Sequence, residues 1–179
     1  MQRSNVALVG FMCAGKSAVG WRLASRLGKR FVETDSLIEG RAGISIAEMF
    51  STWGEQRFRD LEAEVVRDVS GGTDSVIACG GGVVLRPENV TCLKSGAVVV
   101  YLDVSRDVVV ERLGSPSEVR PLLSGDGREQ RVTELLEYRA PFYSRAAELT
   151  VDTTGLSVDE VVERIVESLE EHAGTDSRE

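Results

Sequence analysis

The sequence predicts an α/β domain, a three-layer αβα sandwich around a five-stranded parallel sheet. Short apolar segments alternate with longer amphipathic segments along the 179 residues, which is the pattern of strands connected by helices. Capping sequences and glycines mark where several helices begin and end. No internal repeat or low-complexity linker divides the chain, so we expect a single domain over residues 1–170.

Five short segments are predicted to be strands. The first is an apolar run that ends at Gly10 and is suited to a buried strand, and the fourth is the continuous apolar run Ala-Val-Val-Val-Tyr-Leu. In chain order, the predicted strands are Asn5–Val9, Phe31–Val32, Ser75–Cys79, Ala97–Leu102 and Leu149–Val151.

The helices are predicted from apolar spacing and from capping signals. After the first strand, Val19, Leu23 and Leu27 recur at helical spacing, and Gly28 follows as a stop. The predicted helices are Lys16–Leu27, a helix capped by Asp35, a helix from the capping box Ser45–Glu48 to about Gly54, Glu55–Val69, a short helix from Pro87, Arg106–Leu113, Arg128–Arg145 and a helix opened by a second capping box, Ser157–Glu160.

Two segments are predicted to be less ordered than the rest. Residues 114–127 are rich in Gly, Pro and Ser and carry Arg120, so they suit a mobile lid that closes over a bound nucleotide. A plain surface loop is the alternative. Residues 171–179 are polar and charged, and we expect a disordered tail there.

Composition limits the range of partners and locations. The net charge of −8 and the pI near 4.9 argue against nucleic acid or an anionic membrane surface as the main partner. No apolar run approaches the length that spans a bilayer. The three cysteines, Cys13, Cys79 and Cys92, have no CxxC spacing and indicate reduced thiols. We therefore expect a cytoplasmic protein that binds small molecules.

A phosphate-binding loop follows the first strand. The segment from Gly10 to Ser17, Gly-Phe-Met-Cys-Ala-Gly-Lys-Ser, fits the pattern GxxxxGK[ST]. Its glycines allow backbone N–H groups to surround a phosphate, and the helix behind it directs its positive end there. Lys16 is placed to reach the β- and γ-phosphates of ATP and Ser17 to ligate Mg²⁺. A glycine turn that holds Lys and Ser by chance is the alternative.

Cys13 stands where small kinases often have a third glycine in this loop. Its thiol would lie beside the phosphates at a helix N-terminus, which favours the thiolate. Both a redox role and a structural replacement are open from the sequence.

Acidic, basic and glycine-rich segments follow the next two strands. Glu33 and Asp35 come at the carboxyl end of the second strand, where one could serve the metal and the other an acceptor hydroxyl. Helix capping is the alternative for Asp35. Arg59 and Glu62 share a helix face, and such pairs are usually exposed surface contacts. Three glycines, residues 80–82, follow the third strand and leave space for the backbone or ring of another molecule, with a plain turn as the alternative.

These motifs together resemble the shikimate kinase family. The stretches GFMCAGKS, FVETDSLIE, GEQRFRDLE, GGG, VRPLL and YRAPFY occur in the order and at the approximate spacing of that family. The resemblance runs from Val6 to about Val166. It implies a nucleoside-monophosphate-kinase-like fold and phosphorylation of the 3-hydroxyl of shikimate by ATP with Mg²⁺. It also favours a monomer.

The resemblance assigns roles to residues by their motif positions. Asp35 would bind the ring hydroxyls and accept the transferred proton. Arg59 and Arg139 would hold the substrate carboxylate. Arg120 would close with the lid onto the phosphates, and Arg112 would stack on adenine. The other residues implied for the acceptor are Gly80, Gly81 and Gly82; for the nucleotide, Cys13, Ala14, Gly15, Lys16, Ser17 and Ala18; and for the metal, Ser17 and Glu33.

Two positions depart from the family pattern. Glu33 stands where the family usually has aspartate, and its longer side chain alters the reach to the metal. Ala18 replaces a common threonine. The alternatives are a gluconate kinase, a nucleoside monophosphate kinase and, in another class, a nucleotide-binding module without kinase activity.

Overall fold

The computed structural model describes residues 3–113 and 128–176, which form one five-stranded sheet flanked by helices. Every pairing in the sheet is parallel, and the strand order is β2-β3-β1-β4-β5. The strands are β1 Asn5–Val9, β2 Arg30–Glu33, β3 Ser75–Ala78, β4 Ala97–Asp103 and β5 Leu149–Asp152. All five predicted strands are confirmed, with ends that differ by at most one residue.

The register places the apolar centres of the three middle strands side by side. Val6 of β1 lies opposite Val76 of β3 and Val98 of β4. Every residue of β1 and β3 is buried. Parallel strands that are covered on both faces have this continuous apolar character, which explains why they lack alternation in the sequence.

Helices cover both faces of the sheet and confirm the predicted three layers. Among the described residues, α1 and α8 pack together on one face, while α4, α5 and α7 lie on the other. The helices are α1 Lys16–Leu27, α2 Thr34–Ala42, α3 Ile46–Thr52, α4 Gly54–Ser70, α5 Pro87–Gly96, α6 Arg106–Leu113, α7 Arg128–Ala146 and α8 Val158–Asp176, and a short 3-10 helix spans Val83–Leu85.

The predicted caps are largely confirmed. Helix α1 ends at Gly28, whose φ of 65° lies in the left-handed region. The hydroxyl of Ser45 accepts from the Glu48 N–H, and the Glu48 carboxylate accepts from the Ser45 N–H. Ser157 forms the same reciprocal pair at the start of α8. Local sequence therefore fixes these helix ends.

Asp35 does not cap a helix, so that alternative is wrong. Helix α2 begins at Thr34, one residue earlier, and Asp35 lies in its first turn. Thr34 is buried, and its hydroxyl accepts from the Gly80 N–H at 3.0 Å. This bond ties the helix start to the end of β3 and leaves the Asp35 carboxylate directed elsewhere.

The predicted tail is also corrected. Helix α8 continues to Asp176, so the disorder expected for residues 171–179 is wrong for 171–176. Ile165 and Leu169 pack on the core four residues apart, and the polar end continues these anchored turns. Residues 177–179 and the predicted lid with Arg120 lie outside the described residues. In the described part of the chain, no helix is long and apolar enough to cross a membrane.

A second, smaller core lies apart from the sheet. The first core surrounds the sheet, while the second joins α2, α3 and α4 through Ile38, Met49, Phe58 and Val65. Phe58 also contacts the Phe50 ring, with the ring centroids 4.8 Å apart. This small core fixes the rotation of α4 about its axis and thereby decides which face of α4 meets the sheet.

Candidate active site

A cavity of about 500 Å³ opens at the carboxyl ends of β1, β2 and β3. The phosphate loop follows β1, the segment Glu33–Asp35 follows β2, and residues 80–82 follow β3. Helix α4 and Arg139 of α7 close the side of the cavity. Ligands of open parallel sheets bind outside the carboxyl ends of the strands, where the chain changes its winding direction. Strands β1 and β3 are the neighbours at that point in this sheet.

The phosphate loop leads from β1 directly into α1, as the motif predicts. Gly15 precedes α1 with φ 88°, in the left-handed region that favours glycine. The Lys16 ammonium donates to the carbonyls of Gly10 at 3.0 Å and Phe11 at 2.8 Å. The positive end of α1, the loop N–H groups and an ammonium therefore lie together at one end of the cavity.

Cys13 and Arg112 meet at the outer side of the loop. Cys13 has φ 61°, so the loop needs the left-handed conformation at this position. The Arg112 guanidinium donates to the Cys13 carbonyl at 2.5 Å. Arg112 thus lies beside the loop, and its predicted contact with adenine stays a prediction. Ala14 is buried beneath the loop, whereas Ala18 lines the cavity.

The two predicted metal ligands are neighbours in the structure. The Ser17 hydroxyl donates to one oxygen of Glu33, and the Ser36 hydroxyl donates to the other at 2.9 Å. Among the described residues, no group of three His, Cys, Asp or Glu side chains is placed to hold a metal ion. Mg²⁺ does not need such a group, because it keeps several waters and uses one or two protein oxygens with substrate phosphates. The hydroxyl and carboxylate fit that pattern.

Each glycine of residues 80–82 faces a charged side chain. A Cβ on Gly80 would lie 2.6 Å from Asp35 Oδ1 and 3.1 Å from Glu62 Oε1. A Cβ on Gly82 would lie 2.5 Å from both terminal nitrogens of Arg59. The groups that approach Gly80 and Gly82 closely belong to this chain itself, and the predicted approach of another molecule to the triplet stays a prediction.

Arg59 and Glu62 form a buried ion pair, so the expectation of an exposed surface contact is wrong. The Arg59 Nη1 lies 2.8 Å from Glu62 Oε2, and its Nη2 lies 3.2 Å from Glu55 Oε1. Glu62 is 1% exposed. The small core around Phe58 turns this face of α4 inward, which is the physical reason for the difference.

Burial and charge act in opposite directions on this pair. Burial alone would lower the pKa of the Arg59 guanidinium, but Glu62 and Glu55 outweigh it and raise that pKa. Burial raises the pKa of the Glu62 carboxyl, and Arg59 opposes the rise. Oε1 of Glu62 has no hydrogen-bond partner among the described residues. The guanidinium stays charged, with a buried carboxylate beside it to fix its position.

Arg139 approaches the triplet from the opposite helix. Its Nη1 donates to the Gly81 carbonyl at 3.3 Å, and the side chain is buried. Its Nε has no hydrogen-bond partner in the described part of the chain. The Arg59 and Arg139 guanidinium groups therefore lie at adjacent residues of the triplet. Two such forks suit the binding of one carboxylate.

Sequence reasoning named Glu62 as a partner of Arg59 but missed its burial, and it also missed several apolar residues of the cavity wall. Glu62 follows Phe58 by four positions and precedes Val65 by three, so it lies on the apolar stripe of α4. A charged residue on that stripe was the available signal. No comparable signal marked other wall residues such as Ile46 and Phe50.

Cys79 lies behind the triplet and lines the same cavity. Burial raises the pKa of its thiol to about 12, so it stays protonated at neutral pH. The reactive form of this cysteine is therefore absent under ordinary conditions.

Comparison with known proteins identifies a family for this arrangement. The family model for shikimate kinase matches residues 12–170. Shikimate kinase from Thermodesulfovibrio yellowstonii is 44% identical over 166 residues, covering 93% of this chain and 95% of the relative. Shikimate kinase from Geobacter sulfurreducens is 45% identical over 168 residues, covering 94% and 92%. The structure of shikimate kinase from Acinetobacter baumannii in complex with shikimate superposes with a TM-score of 0.90, at 32% identity and 94% coverage of both chains.

Proposed function

This chain belongs to the shikimate kinase family, and on that premise we propose that its cavity brings ATP and shikimate together for phosphoryl transfer. The γ-phosphoryl group of ATP passes to the 3-hydroxyl of shikimate and yields shikimate 3-phosphate and ADP, a step of aromatic amino-acid biosynthesis. One observation carries the proposal. Asp35 and the guanidinium groups of Arg59 and Arg139 converge on residues 80–82, directly beside the phosphate loop.

The loop and α1 bind the phosphates of ATP. The backbone from Cys13 to Ala18 supplies N–H groups, and Lys16 supplies a positive charge close to the β- and γ-phosphates. We assign Arg112 to the adenine side and Arg120 to the phosphates. Arg120 and the predicted lid over residues 114–127 lie outside the described residues, and the lid stays a prediction.

Ser17 and Glu33 are the residues that would hold Mg²⁺. Both side chains line the cavity and contact each other, and the longer Glu33 reaches the Ser17 hydroxyl. An ion held there would supply positive charge that offsets the negative charge developing on the phosphate oxygens. Ser36 holds the second Glu33 oxygen and so orients the carboxylate.

The two arginines orient the acceptor by its carboxylate. Arg59 is fixed by Glu62, and Arg139 is fixed by the Gly81 carbonyl. Because the sites of both guanidinium groups are buried, a carboxylate bound between them loses water and gains charge-assisted hydrogen bonds. The glycines add no side chains, so the ring of the acceptor can lie against the backbone.

Asp35 is the group that accepts the proton of the attacking hydroxyl. It lies at the start of α2, with Oδ1 over Gly80 and facing the cavity. Phosphoryl transfer passes through a loose transition state, so positioning matters more than base strength. A carboxylate therefore suffices, and no histidine is needed.

The same proposal includes the organisation and location of the molecule. We assign residues 1–170 to one kinase domain, acting as a monomer in the cytoplasm. The domain assignment is supported by the single sheet that carries every part of the described site.

A coupled assay of ADP release tests the proposed acceptor. Shikimate, gluconate, AMP, UMP and CMP are compared at equal concentrations with Mg²⁺ and ATP. We expect kcat/KM for shikimate to exceed that of each other acceptor by at least about 10³-fold, because a site with buried charged groups rejects acceptors that leave them unpaired. Robust turnover of another acceptor with none of shikimate would refute the assignment, and ATP binding without any turnover would favour a non-catalytic module.

A further inference from the structure

We propose that Tyr143 is a positioning residue for the acceptor carboxylate, because its buried hydroxyl fixes the peptide that joins Gly81 to Gly82 between the two arginines. This inference rests on the proposed function, since it concerns how the same cavity holds its acceptor. It adds a residue that does not itself line the cavity but acts on it through the Gly81 carbonyl.

Two donors from one helix hold one carbonyl. The Tyr143 hydroxyl donates to the Gly81 carbonyl at 2.5 Å, and Arg139 Nη1 donates to the same oxygen at 3.3 Å. The two residues are four positions apart on α7, so their side chains share a face. The hydrogen bond from Tyr143 therefore sets the position of the carbonyl that also accepts a hydrogen bond from Arg139.

The triplet needs such a restraint because glycine adds none of its own. Glycine backbones have more accessible conformations than other residues and pay more entropy to be fixed. No cis peptide bond occurs among the described residues, so the Gly82 N–H points away from the Gly81 carbonyl. Rotation of this peptide would shift Gly82, where a Cβ would lie only 2.5 Å from the Arg59 guanidinium nitrogens. One hydrogen bond thus fixes a surface shared by both arginines.

The surroundings of Tyr143 keep its hydroxyl in place and protonated. The side chain is 1% exposed, and its ring stacks on Tyr101 with centroids 5.2 Å apart. Tyr101 is itself held by a hydrogen bond of 2.8 Å to Asp103. Burial raises the pKa of Tyr143 to about 12, although Arg139 and Arg59 act in the opposite direction. The hydroxyl remains a donor at every pH where the enzyme would be assayed.

The test is Tyr143→Phe, which removes the hydroxyl and keeps the stacked ring. We expect KM for shikimate to rise about ten-fold, which is the effect of losing one buried hydrogen bond. The kcat and the KM for ATP should stay within about two-fold of their values in the unaltered enzyme. Tyr101→Phe is the matched control, because it removes a hydroxyl from the same stacked pair without touching Gly81. Tyr138→Phe removes an exposed hydroxyl from the same helix. Both controls should keep KM for shikimate within about two-fold.

A double-mutant cycle distinguishes positioning from general loosening. In an Arg139→Ala background, Tyr143→Phe should raise KM for shikimate by less than about three-fold, because both residues act on the same carbonyl. Full multiplication of the two effects, or a lowered Tm with unchanged KM in Tyr143→Phe, would overturn the inference. Absence of shikimate turnover in the unaltered enzyme would instead overturn the proposed function.

A second replacement keeps the inference testable should Tyr143→Phe fail to fold. Tetrafluorotyrosine at position 143 retains the ring and hydroxyl but is a far stronger acid than tyrosine, so its phenol loses its proton at a much lower pH. The charged groups that act on this phenol are Arg139, Arg59 and Glu62. KM for shikimate should rise with pH in the fluorinated enzyme and stay level in the unaltered one. Identical pH profiles would contradict the inference.

Discussion

The phosphate loop of the nucleotide half is assembled from neighbours in the sequence, whereas the acceptor half is assembled from four distant segments. Residues 10–18 form one loop and helix start, in which Lys16 contacts backbone carbonyls of its own loop. In the acceptor half, residues 80–82 meet side chains of α2, α4 and α7. The nucleotide half offers mainly backbone groups, and the acceptor half offers mainly buried charges.

This difference determines how each half responds to change. Backbone N–H groups of a loop need only the right local conformation, so the nucleotide half depends on φ and ψ at a few positions. Buried charges need partners, because an unpaired charge away from water is strongly unfavourable. Glu62 beside Arg59 provides such a partner. We therefore expect substitutions in the acceptor half to alter folding stability and acceptor binding together.

The largest expected effects separate the two halves by what they bind. Lys16→Ala should lower kcat/KM by at least about 10³-fold and weaken ATP binding, because it removes charge at the transferring phosphate. Asp35→Asn should lower kcat by about 10²- to 10⁴-fold and leave ATP affinity nearly unchanged, because it removes only the proton acceptor. Steady-state kinetics and ATP titration measure both. Near-normal turnover in Lys16→Ala would contradict the role of the loop, and wild-type kinetics in Asp35→Asn would contradict the role of the base.

Smaller effects are expected when the two arginines are compared. Arg59→Ala should destabilise the fold by about 3–5 kcal/mol, because Glu62 is left buried without its partner. Arg139→Ala leaves no buried carboxylate without its partner. We therefore expect it to lower the free energy of unfolding by only about 1–2 kcal/mol. Denaturant unfolding measures this contrast.

Both arginine substitutions should weaken binding of the acceptor acid by about 10²-fold and binding of its uncharged amide analogue far less. Competition between the acid and the amide in the coupled assay gives the ratio. An equal loss for both ligands would remove the carboxylate role from that arginine. Equal stability losses in the two variants would remove the special role of Glu62.

The smallest expected effect concerns the backbone of the nucleotide half. Cys13 has φ 61°, so Cys13→Gly should raise stability by about 0.5–1 kcal/mol through relief of the left-handed conformation, offset in part by the flexibility of glycine in the unfolded chain. KM for ATP should stay within about two-fold if the thiol is only a structural replacement. Asp74→Gly is the matched control, because Asp74 has φ 54° far from the loop. A clear change in KM for ATP in Cys13→Gly alone would give the thiol a role at the phosphates.

Sequence reasoning reached furthest where structure depends on near neighbours. The five strands, the start and end of α1 and both capping boxes were predictable, because each depends on residues within a turn or a short run. The start of α2 was misplaced because Thr34 bonds to Gly80, a contact across the sheet. The end of α8 was misplaced because polar residues there continue turns anchored by Leu169.

By itself, the sequence determined the parallel α/β sheet and the phosphate loop, since apolar periodicity and the GxxxxGKS spacing are local properties. The order of its motifs also determined the family resemblance. Only the tertiary structure decided that Arg59 and Glu62 are buried. It also decided that charged side chains lie against Gly80 and Gly82, and that the Tyr143 hydroxyl donates to the Gly81 carbonyl. Helical spacing tells which residues share a face of a helix. The packing of distant elements decides which face is buried, and therefore which charged side chains need a buried partner.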